Sequence, residues 1–434
     1  MKKKSLLISL SWAGIAIIAC VALSCSKNDV QVDTNSQPNP LKSVSLPSIS
    51  SKAYAISGLS TSSSNNATAI QNAINAANAS GGGTVTVPSG TYNCGPLTLK
   101  SNVGLTLASG CTLKVLAYGS YPGSGGTASL AAFISLNGQT NVLINGSGTI
   151  DGQGSAWWSA YTTTKAAGAA IARPCMVGMG TTTTAEVSGI KIINAPNGHM
   201  STGKSSNNIT ITGVTLSSPS TSPNTDGIDI WSPNVNITNC NISCGDDNIA
   251  MDSGSTYVTI TGCTFGTGHG CSIGSYASGI DHITVNSCTF NGTSNGIHIK
   301  SSRDRGGVVQ YLTYSNITMT NVASPIIICG YYPDSSIPSS ASSAPSATVS
   351  STTPNFKHIA ISNVTATGAT NAITLWGLPE QYISDITFTT VKISSKYGIT
   401  ANFVTGCVFS GSAITVSSGS KIYSSYDASI SGTY

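Results

Sequence analysis

From residue 209 onward, apolar side chains recur in a fixed figure: positions 0, 2, 5 and 7 of a longer unit, with polar residues between them. Ile209, Ile211, Val214 and Leu216 fit it, as do Val235, Ile237, Cys240 and Ile242. Val258, Ile260, Cys263 and Phe265 follow, then Ile283, Val285, Cys288 and Phe290, then Leu312, Tyr314, Ile317 and Met319. Ile359, Ile361, Val364 and Ala366 come next, and Ile386, Phe388, Val391 and Ile393 end the series. Successive units start 26, 23, 25, 29, 47 and 27 residues apart. A step of two is a strand with one buried face, and the single step of three is a corner between two short strands. A unit of this length matches one coil of a parallel β-helix, which hides its inner face only by stacking on its neighbours. The long interval contains the Ser- and Pro-rich stretch from Pro333 to Pro354, an inserted loop.

Earlier segments fit more loosely. Val103-Gly104-Leu105, Val142-Leu143-Ile144 and Ile190-Lys191-Ile192 are expected in the first coils. One helix is predicted, over residues 67–79, where Ile70, Ala73, Ile74 and Ala77 share a face and Gly81-Gly82-Gly83 stops the turn. It either covers the exposed end of the sheet or lies on the surface. The expectation is an all-β chain, a parallel β-helix with a short N-terminal capping helix. A leucine-rich repeat lacks its Leu pattern here, and a propeller lacks its Trp-Asp signals.

Composition agrees. The 434 residues include 46 Gly and much Ser, Thr and Asn, which tolerate turn conformations, while charged residues are only 8%. Cys240, Cys263 and Cys288 share position 5 on consecutive coils, a ladder of small apolar side chains with a disulfide as the lesser alternative. The first residues have the form of an export signal: Lys2, Lys3 and Lys4, an apolar run from Leu6 to Leu23, then Ser24-Cys25. The sequence Val21 to Cys25 has the form of a bacterial lipobox, with lipidation of Cys25 expected after removal of residues 1–24. Residues 25–50 read as a flexible tether, and 51–434 as one solenoid domain. The expected location is the cell envelope, with outer-membrane anchoring through lipid, or free secretion. Without the three leading lysines the formal charge of +4 falls to +1, which gives nucleic acid no footprint. A monomer is expected. Ten of the 12 cysteines lie beyond the signal; none forms a CxxC pair, so no zinc site is expected.

Against this background, ionisable groups gather between Asn224 and Lys300. Coils stack at about 4.8 Å, so groups at one offset on neighbouring coils are neighbours in space. Asp246 and Asp247 lie 11 and 12 residues past Val235, and His269 lies 11 past Val258. Asp226 lies 17 past Ile209, and Lys300 17 past Ile283. That arithmetic sets Asp226, the Asp246–Asp247 pair, His269 and Lys300 on four successive coils of one face. Cleaving an acetal needs a proton for the departing oxygen and a base or nucleophile at the anomeric carbon, work that paired carboxylates do. Crowded carboxylates also push at least one pKa upward. Turns alone would explain Asn-Thr-Asp-Gly or Gly-Asp-Asp singly, and corner aspartates can bind Ca²⁺. All four groups in register favour the catalytic reading, with no cofactor or metal required.

These motifs resemble those of the polygalacturonases, glycoside hydrolase family 28: NTDG at 224–227, GDD at 245–247, GHG at 268–270, and His298-Ile299-Lys300 before Gly306-Gly307. The stretches around Ala69-Ile70-Gln71, Gly95 to Ser101 and Gly148 to Gly154 resemble the family too. The resemblance implies a right-handed parallel β-helix and hydrolysis of α-1,4-galacturonosidic bonds in pectin with inversion. It implies Asp246 as general acid, with His269 holding its protonation. Asp226 and Asp247 would activate water, and Lys300, His298, Asn224 and Tyr332 would bind substrate, with Tyr331 as the other candidate tyrosine.

Two features depart from the family. Where relatives carry Arg-Ile-Lys, this chain has His298, and neutral histidine lacks the two parallel donors of arginine. A modified pectin or another uronate polymer is therefore an alternative substrate. Carboxylates on adjacent coils also suggest a spacing near the ~5 Å of retaining enzymes rather than the roughly 6.5–9.5 Å of inverting ones. Two rivals remain: a Ca²⁺-dependent lyase, disfavoured by the GDD and GHG pair, and a non-catalytic sugar-binding β-helix or adhesin.

Overall fold

The computed structural model describes residues 45–434. Residues 1–24, Cys25 and most of the 25–50 segment lie outside the described residues, so the signal, lipidation and tether expectations do too. Among the described residues, no helix is long and apolar enough to cross a membrane.

The described chain is a solenoid of parallel strands. The repeat read from apolar spacing is the physical register: Ile209 pairs with Val235, Val235 with Val258, and Val258 with Ile283. Ile283 pairs with Leu312, Leu312 with Ile359, and Ile359 with Ile386. None of these seven residues is more than 2% exposed, so the stack forms one continuous core. Each rung hides its apolar face only against the rungs beside it. Phe265 and Phe290 meet in this core with ring centroids 4.7 Å apart. Cys240, Cys263 and Cys288 form the expected buried ladder, and the cysteines of the described residues are free thiols.

Corners account for the unusual composition. The residue before each unit start has a left-handed backbone: Asn208, Asn234, Tyr257, His282, Tyr311, His358 and Asp385 all have φ between 53° and 57°. A second left-handed corner sits between the two strands, at Gly213, Asn239, Gly262, Ser287, Asn316, Asn363 and Thr390. Asparagine and glycine tolerate this region best, hence their abundance.

Three details differ from the sequence reading. Ile190 and Ile192 do not open a coil; they are positions 5 and 7 of the coil starting at Ala185, which pairs with Ile209. Each coil around the site also carries a third, short strand, such as Ile228–Ile230, Ile249–Met251 and Cys271–Ile273. Three residues are too few to show a period. Finally, there is a second α-helix, Gly154–Ala166, of which only Gly154 and Trp157 are buried. With so narrow an apolar face and three consecutive threonines, it carries little helical signal.

The predicted helix, Ala67–Ala79, buries Ile70, Ala73, Ile74 and Ala77. The Gln71 amide exchanges two hydrogen bonds with Thr98, Nε2 to its carbonyl at 2.9 Å and Oε1 from its N–H at 2.8 Å. It thus satisfies backbone groups of the first coil as a strand would, as expected of a cap. The Pro333 to Pro354 segment is a loop between the strands Ser324–Cys329 and Asn355–Trp376, with two short 3-10 turns.

Candidate active site

The third strands form the floor of a groove. Asp229, Ala250, Ser272, His298 and Ile327 are consecutive partners along it. Counting back from these pairs, the turns on one side place Asp226, Asp247, His269 and Asn295 in a row on four successive coils. Counting forward, the opposite side places Trp231, Asp252, Gly274 and Lys300 in a row. At about 3.3 Å per residue, each three-residue floor strand is on the order of 10 Å long. Asp226, Asp247 and His269 thus occupy one wall, with Asp246 in the same turn as Asp247, and Lys300 reaches over from the other.

Close backbone packing holds the carboxylate wall. A Cβ on Gly227 would stand 2.3 Å from the Asn248 carbonyl oxygen, and one on Gly268 would stand 2.5 Å from the Asn248 amide. The Asn248 side chain is fully buried. Its Nδ2 donates to Ile242 O and Thr267 O, both at 3.0 Å, and its Oδ1 accepts from Gly270 N at 2.9 Å. One amide therefore pins the Gly-His-Gly turn to the Gly-Asp-Asp turn.

His269 makes two bonds to Asp246: its N–H donates to the Asp246 carbonyl at 2.8 Å, and its Nδ1 lies 3.1 Å from Oδ1. Asn224 donates from Nδ2 to Asp246 Oδ2 at 3.3 Å. Arg173 orients that asparagine. Its Nη2 donates to Asn224 Oδ1 at 3.0 Å, and its Nη1 donates to Pro196 O at 2.8 Å and Pro223 O at 2.5 Å. Tyr161 on the second helix lies beneath the Arg173 guanidinium at 3.7 Å.

Asp247 is more deeply set. Lys300 Nζ donates to its Oδ2 at 2.8 Å and Ser272 Oγ to its Oδ1 at 2.7 Å. Asp247 and Lys300 are each 5% exposed. A charge pair so enclosed is held by its own attraction and by the donors that complete it.

Electrostatics separate the three carboxyls. Burial, then the charges of Asp229, Asp246 and Asp247, raises the Asp226 carboxyl well above the usual range. Burial also pushes Asp246 upward, but the hydrogen bond and charge of His269, with Lys300, outweigh it and hold Asp246 below the usual value. His269 is raised in turn, chiefly by its bond to Asp246, against the opposing effect of burial. The two shifts describe one proton shared by a pair. Burial and neighbouring acids carry Asp229 up to about 8 and Asp252 to about 6.

The remaining expected residues fall nearby. His298 is 4% exposed, facing Ser272 Oγ at 3.4 Å and Asn295 Nδ2 at 3.3 Å through Nδ1. Burial, then Lys300 and His269, lowers its pKa well, so the ring is neutral. An amide N–H that donates to Nδ1 leaves the imidazole proton on Nε2, which has no protein partner. Lys300 Nζ stands 5.6 Å from the Tyr332 ring centre, while Tyr331 is buried against Cys329 and Leu378. Beyond them lies a pocket of about 370 Å³, lined by Arg303, Asp304, Tyr331 and Tyr332 and by Pro338 and Pro345 of the inserted loop. Asp246, Asp247 and His269 have donor atoms within 4.8 Å of one another, a spacing open to a metal ion. Here those atoms engage each other, Lys300 and Ser272.

Sequence reading missed Arg173, Asn248, Ser272, Asp229 and Asp252. Arg173 and the two aspartates were findable as rare charges in a charge-poor chain. Asn248 and Ser272 carry no such signal, since their residue types are everywhere in it.

A β-helix groove with a shared-proton acid pair facing a second enclosed carboxylate has the equipment of an enzyme that cleaves glycosidic bonds. The chain belongs to glycosyl hydrolases family 28, whose profile matches residues 78–410, and is a glycoside hydrolase. It is 33% identical over 332 residues to an exopolygalacturonase of Zea mays, covering 74% of this chain and 76% of that one. It is 36% identical over 267 residues to an endo-polygalacturonase of Pectobacterium carotovorum subsp. carotovorum, covering 56% of this chain and 66% of that relative. A solved polygalacturonase from Erwinia carotovora ssp. carotovora superposes with a TM-score of 0.71 at 29% identity, covering 90% of this chain and 99% of that one. The right-handed β-helix of such neighbours is the fold found here.

Proposed function

We propose that the protein hydrolyses α-1,4-galacturonosidic bonds of pectin by an inverting acid/base reaction. The observation that carries this reading is the Asp246–His269 pair, which holds one transferable proton beside the enclosed Asp247. As the glycosidic bond breaks, the proton of the pair, held on His269 while Asp246 is ionised, passes through the Asp246 carboxyl to the departing oxygen. A water attacks the anomeric carbon from the opposite face and loses its proton to Asp247. Asp226, kept protonated by burial and its acidic neighbours, orients that water. Asn224, itself held by Arg173, fixes Asp246 Oδ2, and Lys300 and Ser272 fix the oxygens of Asp247. The relatives named as polygalacturonases, endo and exo, support the substrate class.

The test is release of reducing ends from polygalacturonate by wild type beside Asp246→Asn, with proton NMR of the first product formed. Release that collapses in the variant, with an inverted anomer, supports the proposal. Retention would contradict inversion, and the close approach of Asp246 and Asp247 makes that measurement decisive.

A second reading concerns the substrate's charge. Neutral His298 has its one free donor, Nε2–H, enclosed and without a protein partner, where a cation would grip a carboxylate in both its oxygens. A methyl-esterified or otherwise modified uronate suits it better. Relative rates on esterified and de-esterified pectin decide between the two, and His298→Arg is expected to move the preference toward the acid form. The reading extends to an exported lipoprotein acting as a monomer. Labelling of the cell-associated protein with a radioactive fatty acid, lost in Cys25→Ser, tests the anchor.

A further inference from the structure

The wall facing the carboxylates has a chemistry of its own. Trp231 and Tyr276 come from turns two coils apart, yet their ring centres lie 5.7 Å from each other. The coil between contributes Asp252, Ser253 and Gly254 there, none of them aromatic. Lys204 Nζ stands 5.7 Å from the Trp231 ring, and the Arg305 guanidinium 4.9 Å from that of Tyr276. The four residues occupy four coils, with one cation beside each ring. In a chain whose aromatics are 6% and charges 8%, that arrangement concentrates two rare types in one strip.

The strip is both open and firmly held. Tyr276 is 49% exposed. Its N–H donates to Asp252 Oδ1 at 3.0 Å, and its carbonyl accepts from Ser253 Oγ at 2.8 Å. Trp231 N–H donates to Thr202 Oγ1 at 2.9 Å. These bonds anchor the backbone of both turns before anything binds. Packing needs do not explain the strip, because the core is already complete beneath it. Lys204 has no ion-pair partner among the described residues.

We propose that this wall is a binding track for a uronate-bearing polysaccharide, a subsite row running alongside the catalytic one. The apolar faces of pyranose rings would lie on Trp231 and Tyr276, and the sugar carboxylates would meet Lys204 and Arg305. Aromatic faces supply contact area without fixing linkage, and the cations select acidic sugars. The track lies across the groove from the catalytic row: Trp231 shares its coil with Asp226 and Tyr276 shares its coil with His269, while Lys204 lies one coil further toward the N-terminus. The proposal rests on the uronate reading of the substrate.

The experiment uses the full chain carrying Asp246→Asn, titrated with a long oligogalacturonate by calorimetry and by tryptophan fluorescence. The added pair Trp231→Ala and Tyr276→Ala is expected to weaken binding about tenfold, the loss of roughly two partly covered rings. Trp231→Phe with Tyr276→Phe should restore most of it. Lys204→Gln with Arg305→Gln should flatten the dependence of binding on salt. Unchanged affinity in the folded alanine pair, or an unchanged salt slope in the glutamine pair, overturns the track. Hydrolysis by the parent enzyme with such unchanged variants overturns the track alone. Binding through Trp231 by a parent enzyme that releases no reducing ends overturns the hydrolytic proposal and leaves the track standing.

Discussion

The two walls of the groove solve opposite problems. The carboxylate wall packs Asp226, Asp246 and Asp247 against one another, with backbone so close that Gly227 and Gly268 admit no side chain. Its charges are costly to keep and are held by donors: His269, Asn224, Lys300 and Ser272. The facing wall carries Trp231, Tyr276 and Arg305 at or near the surface, where they add contact area at little cost in stability. Proton chemistry sits where burial can separate pKa values, and grip sits where rings stay open. The comparison predicts that substitutions among the carboxylates and their partners, Lys300 included, change turnover and stability, and substitutions of the exposed facing-wall residues change affinity.

The largest effect should come from Asp246→Asn, which removes the proton donor. Turnover on polygalacturonate is expected to fall by about 10²–10⁴-fold, with binding of the chain retained in calorimetry. A fall in affinity alone would erase the distinction between the walls.

Lys300→Met tests the enclosed pair next. It leaves Asp247 buried without its cation, a change worth about 3–5 kcal/mol in a buried ion pair. Denaturant midpoints should show the loss, together with lower turnover. A stability like that of wild type would mean that water or relaxation already screens the pair.

His269→Asn sharpens the shared-proton account. With histidine present, the pair keeps its proton above the ordinary imidazole range, so activity should fail only as pH rises through the raised His269 value. Without it, Asp246 holds the proton alone, and the alkaline limb of the pH–rate profile should move to lower pH. A limb that stays in place would assign that titration elsewhere.

A smaller and opposite effect is expected at Asp229. Its folded value is raised from 3.8 to about 8, so the native state keeps a proton that the unfolded chain gives up. That difference lowers stability progressively as pH rises from about 4 to about 8 and is constant above. Asp229→Asn should therefore raise Tm by a few degrees at neutral pH, with a gain that shrinks toward pH 4. A pH-independent gain would point to packing rather than charge.

How much of this was legible beforehand follows from which signals a sequence can carry. The coil register was fully legible, since each unit start from Ile209 to Ile386 is a strand partner of the next. Burial on one face repeats, and repetition is what a pattern can show. The Asp226 to His269 row was legible because charges are rare here. The true row, however, ends at Asn295, and Lys300 lies across the groove, because unequal coil lengths defeat counting from a distant start. The role of His298 was not legible, since its position gives no hint that burial leaves it neutral. Nor were Ser272 and Asn248, two polar residues among dozens alike. The Trp231–Tyr276 pair joins two coils that are not neighbours, a three-dimensional fact with no linear trace.

The most direct test remains reducing-end release from polygalacturonate by wild type and Asp246→Asn, side by side at saturating substrate. The account predicts steady release by wild type and a loss of at least about a hundredfold in the variant, which still binds the chain. Equal release by the two proteins, or none by wild type on acidic and esterified pectins alike, would contradict it.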